Sequence, residues 1–512
     1  MAHGFRKNAG LASGDFKNKT NHALRLISEK KDDFWSHERE RRPLELFRLA
    51  SRRVPAYKDF LRRNKIAPEK IKTFKDFQFV PPVSKKNYLR EYPIEKLCWD
   101  GSLKKPLVWT STSGSTGEPF YFPRGEELDW QSSVYHELFL QNAGITRDES
   151  TLVIICFGMG VWIGGIITYE ALHAISLRGY PITILTPGVN KKEIFSAIKN
   201  LGKKFDKIIL CGYPPFLKDV ADEAEDYGIR WRSLDIKMVF AAESFSEKFR
   251  SYIIKRTGIK HRYTDTANIY GSADLGTMAV ETPLSILARE VSFNDINIYN
   301  RVFKDAHRMP TFAQYNPSFI NFEAVDGEIL TTGNNAIPLI RYAIGDRGGV
   351  MSFDTLARIF RDEGMSLKKE AGRAGIGKTI SELPFVYLYE RTDLSAKLFG
   401  AIIYPEHVKA GLENPSFEDY VTGKFAMVTK CDNKQMEYLE INIELRPKAK
   451  GTAYLKKKIK KSITRSLLEK NAEYRNNANM MPDRMDPKIV FWKHEHPLFF
   501  KIGTKQRWVK RN

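Results

Sequence analysis

Cysteine is scarce. The 512 residues hold four, Cys98, Cys156, Cys211 and Cys431, with no CxxC pair. This excludes a disulfide framework and a cysteine-built metal cluster, and it suits a reducing cytosol, so a cytoplasmic protein is expected. No HxxxH pair and no GxSxG elbow occur, and structural zinc is not expected. Long acidic, Pro-rich and Gly/Ser-rich tracts are missing too, so extended disorder is expected only in the polar, basic first few dozen residues. The opening MAHGFRKNAGLASGDFKNK has no apolar core segment and does not read as a secretory signal. One uncharged run, Thr151 to Thr168, approaches membrane-spanning length, but Gly158, Gly160, Gly164 and Gly165 break it. It is expected to be a buried strand entering a glycine-rich loop, with no membrane span.

What is present points to a large folded chain. Hydrophobic residues make up 42% and aromatic residues 12%, ample for a core and too much chain for one ordinary domain. Net charge is +21, from 82 Lys+Arg against 61 Asp+Glu, which favours anionic partners. The densest basic run, Tyr454 to Arg465, places Leu455, Ile459 and Ile463 four residues apart, with Leu467 continuing the stripe. This predicts an amphipathic helix with a solvated cationic face. No zinc-finger spacing or RNP-like aromatic motif accompanies it, so nucleic acid is not the expected partner.

Short β-rich runs alternate with helical stretches through the middle of the chain. Strands are predicted at Leu152–Ile155, Ile182–Leu185, Lys207–Leu210 and Met238–Ala241, with helices at Lys191–Leu201 and Pro215–Tyr227 between them. The alternation predicts an α/β domain built on a largely parallel sheet. Residues from about 38 to 95 read as mostly helical. After about Tyr389 the texture changes: paired strands at Phe425–Lys430 and Tyr438–Leu445, a helix at Thr452–Lys470 and a strand at Lys488–Trp492 predict a small α+β domain of ferredoxin-like arrangement. The expected division is 1–389 and 390–512.

The strongest chemical signal is TSTSGSTGEP, Thr110 to Pro119, which follows an apolar strand at Leu107–Trp109 and precedes a helix-forming stretch from Glu126. Glycine admits close backbone approach, while Ser and Thr hydroxyls and amide hydrogens make an anion cradle. The loop resembles the phosphate-binding loop of adenylate-forming enzymes, in detail that of phenylacetate–CoA ligases. The likeness continues in family order through the region from Val54, FGMGVWIGG at Phe157, LCGYPPFL at Leu210 and AAESFSEKFR at Ala241. NIYGSADLG at Asn268, PLIRYAIGDRGG at Pro338 and ERTDLSAKLFGAIIYP at Glu390 complete it.

The resemblance implies a fold and a set of roles. The fold would be α/β, with a large N-terminal adenylate-forming domain and the smaller C-terminal domain. Thr112, Ser113, Gly114, Ser115, Thr116 and Gly117 would cradle ATP phosphates. Tyr270, followed by Gly271, would pack on adenine, and Asp346 would accept hydrogen bonds from the ribose hydroxyls. Asp274 stands where the family has a Glu that helps hold Mg²⁺, and Ala273 replaces a hydroxyl residue. Arg391 would contact nucleotide and Asp393 would be the hinge, with Lys397 a basic position nearby. Glu243 and Phe245 would belong to the acyl pocket. The plain alternative for Glu243 is a carboxylate capping the helix that follows at Ser246. Phe157, Trp162 and Phe216 lie near motifs that line the same pocket. Lys505 matches the adenylation lysine, with Lys501 as rival.

The implied reaction joins a small-molecule carboxylic acid to ATP, releases pyrophosphate, and passes the acyl group to coenzyme A. Competing readings change the acceptor to a protein thiol, amine or sugar-linked group, make the chain a basic nucleic-acid-binding protein, or make it a degenerate scaffold. A homodimer is left open. Gly372–Thr379, GRAGIGKT, formally satisfies G-x4-G-K-[ST]. It lacks the required strand before it and lies in Thr355–Pro384, which reads as an insertion, so a basic surface loop is expected there.

Overall fold

The computed structural model describes residues 13–512 apart from 106, 113–119, 162, 304–309, 390–394, 413, 434–435, 501–508 and 510–512. Helices Ser13–Glu29, Asp32–Arg53 and Pro55–Arg63 come first among the described elements and bury Trp35, Phe47 and Tyr57 in the core. The strands, in chain order, begin with β1 (Val108–Ser111), β2 (Tyr121–Arg124), β3 (Thr151–Cys156), β4 (Ile182–Leu185), β5 (Lys207–Gly212) and β6 (Ile236–Ala241). They continue with β7 (Thr266–Ser272), β8 (Gly276–Val280), β9 (Thr311–Gln314), β10 (Ile320–Val325), β11 (Glu328–Gly333), β12 (Leu339–Met351) and β13 (Phe385–Tyr389). Last come β14 (Ala396–Leu398), β15 (Ala401–Ile403), β16 (Val421–Cys431), β17 (Glu437–Leu445) and β18 (Lys488–Trp492).

Eleven strands form one sheet, in the order β10-β11-β12-β13-β9-β8-β7-β6-β5-β3-β4. Only the half from β4 to β7 is parallel; every pairing from β7–β8 to β11–β10 is antiparallel. The expectation of a largely parallel sheet therefore holds for one half. The reason lies in the connections. Helices Ile163–Ser176, Lys191–Leu201 and Pro214–Glu223 cross between parallel strands, whereas β7–β8 and β10–β11 are joined by turns too short for a crossover.

Two further expectations gain detail. The phosphate-loop segment does not run straight from strand to helix: β1 pairs antiparallel with β2, Ser111 opposite Tyr121, and the helix Glu126–Asn142 starts only after that hairpin. The apolar run at Thr151 is the expected buried strand, β3, and it runs into a non-helical stretch with Gly158 and Gly160, while Gly164 and Gly165 fall in the helix Ile163–Ser176. A Cβ on Gly165 would lie 2.5 Å from the Met159 sulfur and 2.6 Å from the Gly158 carbonyl, so glycine here permits tight packing of the helix start. No helix among the described residues is long and apolar enough to cross a membrane.

Beyond β13 the elements are smaller. β16 and β17 pair antiparallel, β18 joins β17 in parallel, and Val509 bridges Met427 on the opposite edge. Helix Ala453–Lys470 buries Leu455, Ile459, Ile463 and Leu467, while Lys456, Lys457 and Lys458 are exposed, the amphipathic division read from the sequence. The hydrophobic core is continuous from β3, β5 and β6 into these elements through Ala396, Leu398 and Phe399.

Candidate active site

The C-terminal ends of the parallel strands, the β7–β8 turn and the β14–β15 hairpin enclose a cavity of about 260 Å³. Open α/β sheets leave such crevices outside the carboxyl ends of their strands. Thr112, Glu243, Tyr270, Gly271, Asp274 and Asp346, chosen from sequence, all border it. Thr112 sits at the rim of the β1–β2 hairpin. Its amide donates to the Phe120 carbonyl and its hydroxyl accepts from the Phe120 amide, both at 3.0 Å, so the two residues clamp the ends of the segment 113–119. Ser113, Gly114, Ser115, Thr116 and Gly117 themselves lie outside the described residues, as do Trp162, Arg391, Asp393, Lys501 and Lys505.

Tyr270 leaves β7 with its hydroxyl donating to the Asp346 carboxylate at 2.5 Å. Asp346 follows Gly345, whose φ of 89° is a left-handed conformation that a side chain would strain. Gly271 has a packing reason as well: a Cβ there would stand 2.8 Å from the carbonyl of Gly276 on the neighbouring strand.

Asp274 is almost fully buried. Its carboxylate accepts from the Tyr342 hydroxyl at 2.7 Å and lies 3.7 Å from the Lys85 ammonium. Among the described residues no group of three metal-capable side chains occurs. A resident cation at Asp274 would face Lys85, so this carboxylate does not by itself fit a metal centre.

Glu243 follows β6 behind Ala242, whose φ of 74° is the strained left-handed region. Its carboxylate accepts from the backbone amide of Gly400, in the β14–β15 turn. Gly400 is pressed against a ring: a Cβ there would stand 2.6 Å from Tyr213. The capping role falls not to Glu243 but to Ser246, whose hydroxyl accepts from the Phe249 amide at 3.1 Å and caps Glu247–Thr257. Phe245 does not border the cavity. It packs in the core with Phe240 and Phe249 at ring distances of 4.9 and 5.1 Å, and Phe216 is likewise buried away from it. Phe157 does line it.

Two features escaped sequence reading, and a third was read only as a basic position. Lys397, known only as a nearby basic position, extends Nζ to the Ala242 carbonyl at 3.4 Å. Glu473, on helix Ala472–Met480, borders the same wall. Burial, and then the negative charge of Glu243, push its carboxyl up to about 8, with Lys397 opposing. No motif marks an isolated glutamate brought in by a late helix. His136, on Glu126–Asn142, was missed because its helix carries no chemical motif.

Behind the cavity a buried ion network holds β7. Arg250 donates to Glu281 at 2.7 Å and to Glu247 at 3.0 Å, and Arg289 reaches both carboxylates. Burial opposes the charge on Glu247, yet Arg250 and Arg289 hold its carboxyl down at about 2. Glu281 in turn accepts from the Asn268 amide at 3.0 Å.

The sequence matches no family model and no curated protein. The fold does have solved counterparts. A 2-hydroxyisobutyryl-CoA ligase in complex with 2-HIB-AMP and CoA, in the thioesterification state, superposes with TM-score 0.61 at 16% identity, covering 96% of this chain and 92% of that one. The same ligase in the postadenylation state with 2-HIB-AMP gives 0.52 at 16% identity, again covering 96% and 92%. This is the adenylate-forming enzyme fold. Segment GRAGIGKT lies outside its cavity: helix Leu367–Arg373 precedes a short turn at Gly377–Thr379, and Lys378 is exposed. The strand–loop–helix of a triphosphate cradle is absent there.

Proposed function

We propose that the protein is an AMP-forming acid–thiol ligase that adenylates a small carboxylic acid with ATP and passes the acyl group to coenzyme A. The observation that carries this is the meeting of Thr112, Tyr270 and Asp346, distant in sequence, on one cavity whose rim is the root of the 113–119 loop. In the first step a carboxylate oxygen attacks the α-phosphorus and pyrophosphate leaves. In the second the coenzyme A sulfur attacks the acyl carbon and AMP leaves. Tyr270, oriented by Asp346, offers a flat face for adenine, and Asp346 offers carboxylate oxygen to the ribose diol. Ser113 to Gly117 are the proposed phosphate cradle, with Arg391 a further nucleotide contact. Lys505, or Lys501 as its rival, is proposed to neutralise charge at the attacked phosphorus.

Magnesium would travel with the triphosphate. Asp274 could join it only after giving up Lys85, so no step is assigned to that pair. The chain is read as two parts, 1–389 and 390–512, with Asp393 as the proposed hinge about which the later elements rotate between steps. Their present contacts, Glu243 to Gly400 and Lys397 to Ala242, are the ones such a rotation would break. The bound 2-HIB-AMP and CoA of the solved structures with this fold support adenylate and thioester chemistry. The motif likeness favours a phenylacetate–CoA ligase-like enzyme acting on an aryl or other apolar acid.

A pyrophosphate-release screen over aryl, fatty and amino acids, with and without coenzyme A, tests the proposal. The expected result is acid-dependent release, a thioester product with coenzyme A, and loss of release in Lys505→Ala or Lys501→Ala. Release without thioester would move the acceptor to an amine, a protein thiol or a sugar-linked group. Silence with every acid would end the adenylation reading.

A further inference from the structure

His136 presents a hydrogen-bonding demand that the protein leaves unmet. Its ring is 3% exposed and borders the cavity. Nδ1 lies 2.9 Å from the Ser132 carbonyl one helical turn back. A carbonyl only accepts, so Nδ1 carries the proton and Nε2 is left with its lone pair. Burial also pushes the imidazole pKa down, against the opposing pull of that carbonyl, so the ring stays neutral at physiological pH. The ring borders the cavity, Nδ1 is committed to its own helix, and the remaining ring nitrogen is Nε2. That atom has no partner among the described residues.

A second acceptor repeats the pattern. Asn268, 2% exposed and also lining the cavity, spends its side-chain N–H on the Glu243 carbonyl at 3.0 Å, and its Oδ1 is without a partner among the described residues. The neighbouring hydroxyl of Thr168 donates to its own helix, at Gly164, and Ser132 and Thr277 satisfy one another at 2.8 Å. Ile163 and Ile167 make the wall beside them apolar. Of the cavity's carboxylates, Glu243 is engaged by the Gly400 amide, and Glu473 lies within the electrostatic reach of Glu243 and Lys397. A ligand bringing a hydrogen-bond donor to these two acceptors would satisfy them.

We propose that His136 is a specificity-determining residue whose Nε2 accepts a hydrogen bond from a neutral hydroxyl on the carboxylic acid, making the substrate a hydroxy acid with an otherwise apolar skeleton. The inference rests on the adenylation reading and narrows it. A site built around an acceptor rejects the analogue that leaves it unpaired.

The test compares acids differing by one hydroxyl, such as phenylacetate with its ring-hydroxylated isomers and with mandelate, and octanoate with hydroxyoctanoates. The readout is kcat/KM for pyrophosphate release. For at least one pair the wild type should prefer the hydroxylated acid by roughly tenfold to a hundredfold. His136→Phe should bring that ratio close to one, and His136→Gln, which keeps an acceptor, should recover part of it. Equal turnover within every pair by the wild type overturns the proposal while leaving adenylation standing. So does a preference that survives His136→Phe, or a preference for amino acids over hydroxy acids. Release with no acid at all sinks the adenylation reading, and this one with it. Should His136→Phe not fold, the wild-type ratios and His136→Gln still decide.

Discussion

The hydroxyl of Tyr270 donates to Asp346 at 2.5 Å, tying β7 to β12 at the lining of the cavity. The bond fixes the direction of a ring and a carboxylate that the proposed reaction assigns to two parts of one nucleotide. Such orientation before binding lowers the ordering cost of the complex. Asp346→Ala should therefore raise KM for ATP by on the order of tenfold or more, since hydrogen bonds to a charged group are the stronger kind. KM for the acid should move far less. Equal increases in both would remove Asp346 from the nucleotide.

Asp274 is predicted to support the fold before it supports any ion. It accepts from Tyr342 at 2.7 Å and faces Lys85 at 3.7 Å while buried. Asp274→Ala should cost about 2 kcal/mol, the range for a buried charge-assisted hydrogen bond, seen as a lower denaturant midpoint without nucleotide or magnesium. An unchanged midpoint with an altered magnesium requirement would instead restore the metal role.

Glu473 should make stability depend on pH in an unusual direction. Burial and Glu243 raise its carboxyl from 4.5 to about 8, with Lys397 opposing, so the folded protein favours the protonated form. Stability from this group is complete below about 4.5 and is lost as pH rises through about 8. Glu473→Gln should match the wild type near the acid end and exceed it above pH 8, giving a flatter melting profile. A wild-type profile that stays level from the acid end to above pH 8 would remove the raised carboxyl.

Lys378 should be dispensable. It is exposed in a short turn after a helix, away from the cavity. Lys378→Ala should leave ATP affinity and pyrophosphate release at wild-type levels by calorimetry and activity. Loss of nucleotide binding would revive the triphosphate-loop reading of GRAGIGKT.

Much of this was determined by the sequence alone. Parallel-strand segments such as Ile182–Leu185 and the helix Lys191–Leu201 follow from local hydrophobic period, and the buried stripe of Ala453–Lys470 from four-residue spacing. Thr112, Tyr270 and Asp346 were legible because each sits in a motif that specifies its local turn. What tertiary structure alone decided concerns partners distant along the chain. It made the second half of the sheet antiparallel, sent Phe245 into the core, gave Asp274 to Tyr342 and Lys85, and brought Glu473 and His136 to the cavity. A side chain's neighbours across the core, and the burial that shifts its proton affinity, leave no periodic trace in the residues beside it.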